Sequence, residues 1–375
     1  MRLIALAAPL VMLTLLLTTC AGGTDAGGST TADATQPQMM IRVRDSSVVF
    51  VVGTTKCRNS PCVELLRTDN DGATFTKLSL PPVTAYEGNP TGTLDQLVFA
   101  SDRLGYALEG KTWRTRLYVT RDGGHSWRRV SLPRGVDIMS VAATTVKLFV
   151  VTMDCTKQAN GNWGCRNYNL IRSSLKSHQW SSTPIPVGRS PLDATVGPVS
   201  AFANRLWMTR MAFPKSTHEA AETLLRSSDG GRLLTSSPET ALGFVNGCGL
   251  TAMSANDLWA ECPTGMQVSF FYSSDDGTTW NLVPTSQFSG TGGGNFAPVD
   301  GDVAYLDYGP FGGAPDFFRV TNAGRTLTPI GELRCTDVRS MAFINLDDGL
   351  ALCGSTVTLE RTTNDGRSWS PLAMG

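Results

Sequence analysis

Residues 120–127 read TRDGGHSW: a hydroxyl residue, an Asp, two glycines, a second hydroxyl and a tryptophan in one short span. The same order returns in SSDDGTTW (273–280), TTNDGRSW (362–369) and TDNDGATF (68–75). Weaker copies stand where the spacing calls for them: SSDGGRLL (227–234), VTNAGRTL (320–327) and SSLKSHQW (173–180), the last without Asp or Gly. The Asp-equivalent positions are 70, 122, 175, 229, 275, 322 and 364, separated by 52, 53, 54, 46, 47 and 42 residues. A repeat of about 49 residues holds four short strands and their turns, the content of one propeller blade. Seven copies predict an all-β chain, a seven-bladed β-propeller of four-stranded antiparallel blades. The three weak copies leave six or eight blades as the alternatives.

Each copy falls between the third and fourth strands of its repeat. In one repeat those strands read as Leu94–Ala100, Gly105–Leu108, Arg116–Thr120 and Trp127–Leu132, with turn residues between them. An Asp or Asn side chain accepts hydrogen bonds from the N–H groups of a tight turn, and a following Gly takes positive φ. The terminal aromatic is placed to bury against the blade, and the Ser or Thr adds a local bond. Asn70, Asp122, Asp229, Asp275, Asn322 and Asn364 are therefore expected to stabilise hairpins, with no substrate required. No exchanged strand is evident, so the ring is expected to close by packing of the last blade on the first.

The pattern resembles the Asp-box, or BNR repeat, of sialidases and other propeller glycosidases, sortilin-type receptors and photosystem II assembly-factor-like propellers. The resemblance covers residues 40 to 373. It implies a propeller whose boxes lie in peripheral hairpins, away from the ligand face. It carries architecture over and not activity.

The N-terminus reads as an export signal. Arg2 precedes an apolar run, Leu3 to Leu17, too short to cross a bilayer, which takes about 20 apolar residues. Leu17-Thr18-Thr19-Cys20 resembles the lipobox of bacterial lipoproteins, with Thr19 where that family usually carries Gly, Ala or Ser. This implies acylation of Cys20; the alternative is a plain signal peptide. Residues 21–38 are small and polar and serve as a tether, with a random-coil reach of about 23 Å. The expected organisation is a signal peptide over 1–19, a lipidated cysteine and tether over 20–38, and a propeller over 39–375.

Of nine cysteines, setting Cys20 aside leaves Cys57, Cys62, Cys155, Cys165, Cys248, Cys262, Cys335 and Cys353. They form close pairs ahead of boxes one, three, five and seven. Sequential pairing is the economical choice among the 105 connectivities that eight cysteines allow, and an exported chain meets an oxidising compartment where disulfides persist. A zinc site needs tighter spacing than C-x4-C and more histidine than His125, His178 and His218 supply, so no metal and no cofactor is expected.

Lys plus Arg and Asp plus Glu both number 32, which leaves no net field for polyanions and argues against nucleic-acid binding. Sialidase-type propellers use an arginine triad, a Tyr–Glu nucleophile pair, an Asp acid/base and an early Arg-Ile-Pro element. The early segment here, Met40-Ile41-Arg42-Val43-Arg44-Asp45, lacks that element, and the rest of the set does not assemble from the sequence. His218 reads as a solvated loop residue. Aromatic residues in the loops joining strands two to three and four to one make a possible ligand face: Trp113, Trp163, Tyr308 and Phe311. The reading that follows is an exported, lipid-anchored, non-catalytic scaffold at the outer face of the cell membrane, with a protein or glycan partner. The alternative is a sialidase-like glycan hydrolase.

Overall fold

The computed structural model describes residues 39–372, apart from 57–60, 83–92, 111–114, 134–135, 158–162, 176–178, 187–193, 213–220, 238–246, 265–266, 286–293, 309–315, 336 and 355–357. The described residues form seven antiparallel sheets, one for each repeat, arranged as a seven-bladed β-propeller. Blade one is typical. Its strands run Met39–Arg42, Val49–Lys56, Pro61–Thr68 and Thr76–Leu78, paired in chain order. In blade four two short segments, Ala194–Val196 and Ser200–Phe202, both pair with Arg205–Ala212.

The second strand of a blade is sandwiched between two neighbouring blades, so its residues are buried on both faces. Gly105–Gly110 and Ala304–Tyr308 are buried throughout. The core is accordingly divided into seven apolar clusters, each lying in one seam between adjacent blades. The seam between blades seven and one packs Val49, Val51 and Leu66 against Ala342, Leu350, Leu352 and Leu359. All four strands of blade one come from the N-terminal segment, and among the described residues closure is by face packing with no exchanged strand.

The innermost strands are Met39–Arg42, Thr93–Phe99, Asp137–Ala143, Ser200–Phe202, Gly249–Ala252, Phe296–Pro298 and Val338–Phe343. Side chains on one stitch to the backbone of the next. The N–H of Val141 donates to Gln96 Oε1 (2.9 Å), that of Val199 to Ser140 Oγ (2.9 Å), and that of Ala252 to Ser200 Oγ (3.0 Å). The Met40 N–H donates to Ser340 Oγ at 2.9 Å and carries the pattern across the closing seam.

Two predicted disulfides are present, Cys248–Cys262 in blade five and Cys335–Cys353 in blade seven. Cys155 stands opposite Cys165 in the strand register of blade three. Cys57, the Cys20 lipidation site, the signal peptide and the tether lie outside the described residues.

Candidate functional site

The repeated turn is a hydrogen-bonded unit. In the second blade Thr120 Oγ1 donates to Asp122 Oδ1 (2.8 Å) and accepts from the Gly124 N–H (2.8 Å). Asp122 Oδ1 accepts from the Ser126 N–H (2.9 Å), and hydrogen bonds from Ser126 hold its carboxyl well below the usual carboxylate range. The equivalent bonds recur around Asn70, Asp229, Asp275 and Asn364. In the sixth copy Val320 replaces the hydroxyl residue, and the turn is closed by the Arg325 N–H on the Asn322 carbonyl (3.2 Å).

These turns also join blades. Trp127 Nε1 donates to the Ser79 carbonyl of blade one and Trp180 Nε1 to the Ser131 carbonyl of blade two, both at 2.9 Å. Trp207 of blade four donates to Asp276 (2.7 Å), which also accepts from Arg226 (3.3 Å). Tyr305 and Arg319 of blade six bind Asp365 in the same way. Every partner is structural, and none of the six box residues lines the central cavity.

That cavity, of about 610 Å³, lies where the C-terminal ends of the seven innermost strands converge. Its lining includes the half-buried Met40, Phe99, Phe202, Met253 and Phe296, whereas the Phe343 ring is 1% exposed and stacks on Tyr305 in the seam between blades six and seven. Among the described residues its only charged lining residues are Arg42, Arg44 and Asp45. Arg42 ends the first innermost strand and Arg44 stands in the turn that follows, while Val43 between them is buried against blade two. Arg42 Nη1 donates to the Val299 carbonyl of blade six (2.9 Å). Arg44 Nη2 donates to the Ala252 carbonyl of blade five, and its guanidinium lies 4.6 Å from the Phe202 ring centroid. Burial lowers the pKa of both arginines, opposed by Asp45.

Carboxylates gather at the opposite ends of the strands. Glu109 is fully buried, 3.6 Å from Arg116 and 3.2 Å from the Tyr118 hydroxyl. Burial raises Asp137, with Asp154 adding to the shift. Asp307 accepts from the backbone and side-chain N–H groups of Asn295, yet burial pushes it up to about 7, with Glu261 contributing. Burial also raises Glu261. Among the described residues no group of three or more side chains is placed to hold a metal ion.

Of the four aromatics predicted for a ligand face, Trp113, Phe311 and the Trp163 side chain lie outside the described residues. Tyr308 is 7% exposed and packs in the seam between blades five and six, so its ring faces the core and not solvent. Its strand is buried on both faces, which loop-edge composition does not reveal. Sequence reasoning passed over Arg42 and Arg44. The available signal was their place at the end of a strand that the repeat count makes innermost and in the turn after it.

No protein-family model and no curated protein matches the chain. Solved structures do. YCF48 bound to a D1 peptide is 14% identical with a TM-score of 0.54, over 88% of this chain and 94% of that one. A puromycin-hydrolyzing peptidase of Mycobacterium tuberculosis is 10% identical with a TM-score of 0.58, over 91% of this chain and 54% of that one. An ulvan lyase is 9% identical with a TM-score of 0.50, over 90% and 91%. The chain thus spans about half the length of the peptidase. At these identities the likeness shows the β-propeller fold alone, a fold that hosts many functions.

Proposed function

We propose that the chain is an exported, lipid-anchored propeller that acts as a non-catalytic binding scaffold at the cell envelope, engaging its partner through the central channel. The observation that carries this reading is the chemistry of the cavity. Among the described residues its lining combines apolar walls with two arginines and one aspartate, and includes no histidine, cysteine, tyrosine or glutamate. Such a lining holds a ligand by shape and charge and lacks an acid/base pair to break a bond. The likeness to a peptide-bound YCF48, matched over 94% of that chain, supports a protein partner. The test is cross-linking in intact cells, then isolation of the protein and mass spectrometry of its N-terminus and captured partners. One recurrent partner and an acylated Cys20 are expected. An unmodified N-terminus on a freely released protein would contradict the anchor.

A second reading, glycan hydrolysis, draws on Asp307 and Glu261. One carboxyl protonated near neutrality beside another is the arrangement acid/base hydrolysis uses. Against it, Asp307 is only 4% exposed and already engaged by Asn295.

A further inference from the structure

We infer that the central channel binds a carboxylate carried on an apolar body, with Arg42 and Arg44 as the groups that take the charge. The inference rests on the binding reading above and names the ligand chemistry of the same site.

A guanidinium has five N–H donors and keeps its charge at any physiological pH. Arg42 uses one of them, on the Val299 carbonyl, and its Nε is buried with no partner among the described residues. Arg44 uses one, on the Ala252 carbonyl, and rests its face on Phe202. Among the described residues no carboxylate lies within ion-pair distance of either. Arg319 reaches Asp365 at 2.9 Å and Arg361 reaches Asp348 at 3.3 Å, whereas Arg172 and Arg210, like Arg42 and Arg44, bond to carbonyls with no ion pair among the described residues. Arg42 is half-buried with its Nε unpartnered among the described residues, and Arg44 is exposed, so both keep N–H donors available to a ligand.

Ring closure does not account for them. The closing seam already has its apolar packing and its Met40–Ser340 bond, and both arginines reach past that seam to blades five and six. The charge of the lining selects the ligand. Among the described residues two arginines and one aspartate leave the lining a net charge of +1, which a carboxylate neutralises and a phosphate dianion would exceed. A carboxylate also matches the planar fork of a guanidinium. The phenylalanine and methionine walls take the apolar remainder, and a volume of about 610 Å³ is that of a small-ligand site. A small organic acid and the C-terminus of a peptide both present this chemistry.

The test is calorimetric titration of the folded propeller with octanoate and with acetyl-Ala-Leu-Phe, each beside its neutral amide, and with inorganic phosphate. At least one acid is expected to bind ten times more tightly than its amide, and the tighter acid identifies the source. Phosphate alone is expected to bind no more tightly than the amides. Arg42→Gln and Arg44→Gln should abolish the preference for acid over amide, and Arg44→Lys should weaken it while keeping the charge. A crystal structure with 4-bromobenzoate, located by the bromine anomalous signal, places the site without any variant. Bromine among the phenylalanine walls with the carboxylate on Arg42 and Arg44 supports the assignment. Amides that bind as well as acids, phosphate that binds as well as either, or bromobenzoate seated elsewhere overturns it. Amides bound in the channel would defeat the carboxylate assignment and leave the binding reading standing.

Discussion

Asp307 is a carboxylate in the seam between two blades, and its burial sets a pH dependence that unfolding measurements can read. Its carboxyl is pushed up to about 7, well above its value in an unfolded chain. The contribution to stability is therefore fully present below about pH 4 and is lost as pH rises to about 7. The loss is on the order of 2 to 4 kcal/mol. Asp307→Asn should flatten thermal stability against pH between about 4 and 7, and should be the more stable form at pH 8. An unchanged profile would show that Asp307 is not desolvated. Neither this residue nor its neighbour Tyr308 was legible in the sequence. Ala304–Tyr308 is buried on both faces, so the alternation that separates core from surface in a one-sided sheet is absent. The hydroxyl and Asx positions of the turns were legible, because their bonds are local and depend on residue type alone.

The turn as an element does more than its local chemistry implies. Gly366 has a φ of +73°, and a Cβ there would lie 2.2 Å from the Phe317 ring of the preceding blade. Gly72 is placed likewise against Leu350 across the closing seam. Gly354, with a φ of +72°, has nothing within 4 Å of its would-be Cβ. Gly354→Ala should cost about 1 kcal/mol for the backbone conformation alone, whereas Gly366→Ala should cost about 2–4 kcal/mol because the clash adds to it. Urea unfolding of the two variants measures the difference, and equal costs would show that the turn does not seal the seam. A sequence period locates contacts within a repeat. Which residues of the preceding repeat meet the turn depends on the angle between blades, which the period does not encode.

At the scale of the whole molecule, seven turns counted along the chain become seven blades around one axis, and the disulfides that are described each stay within one blade. The blade count was legible because four strong copies set a spacing that the three weak ones obey. The channel was not, because it is built from one strand of every repeat and belongs to none of them. Aromatic loops drew the sequence reading toward connections between strands two and three, whereas the cavity lies where the innermost strands end. The central claim is that the protein works by holding a partner at this channel. Its most direct test places the photo-cross-linking residue p-benzoylphenylalanine at Thr145, exposed on the channel lining, or at Arg129, exposed on an outermost strand, and irradiates intact cells. A discrete cross-linked partner at position 145 and none at 129 is the predicted result. Partners captured equally at both positions, or at 129 alone, would contradict it.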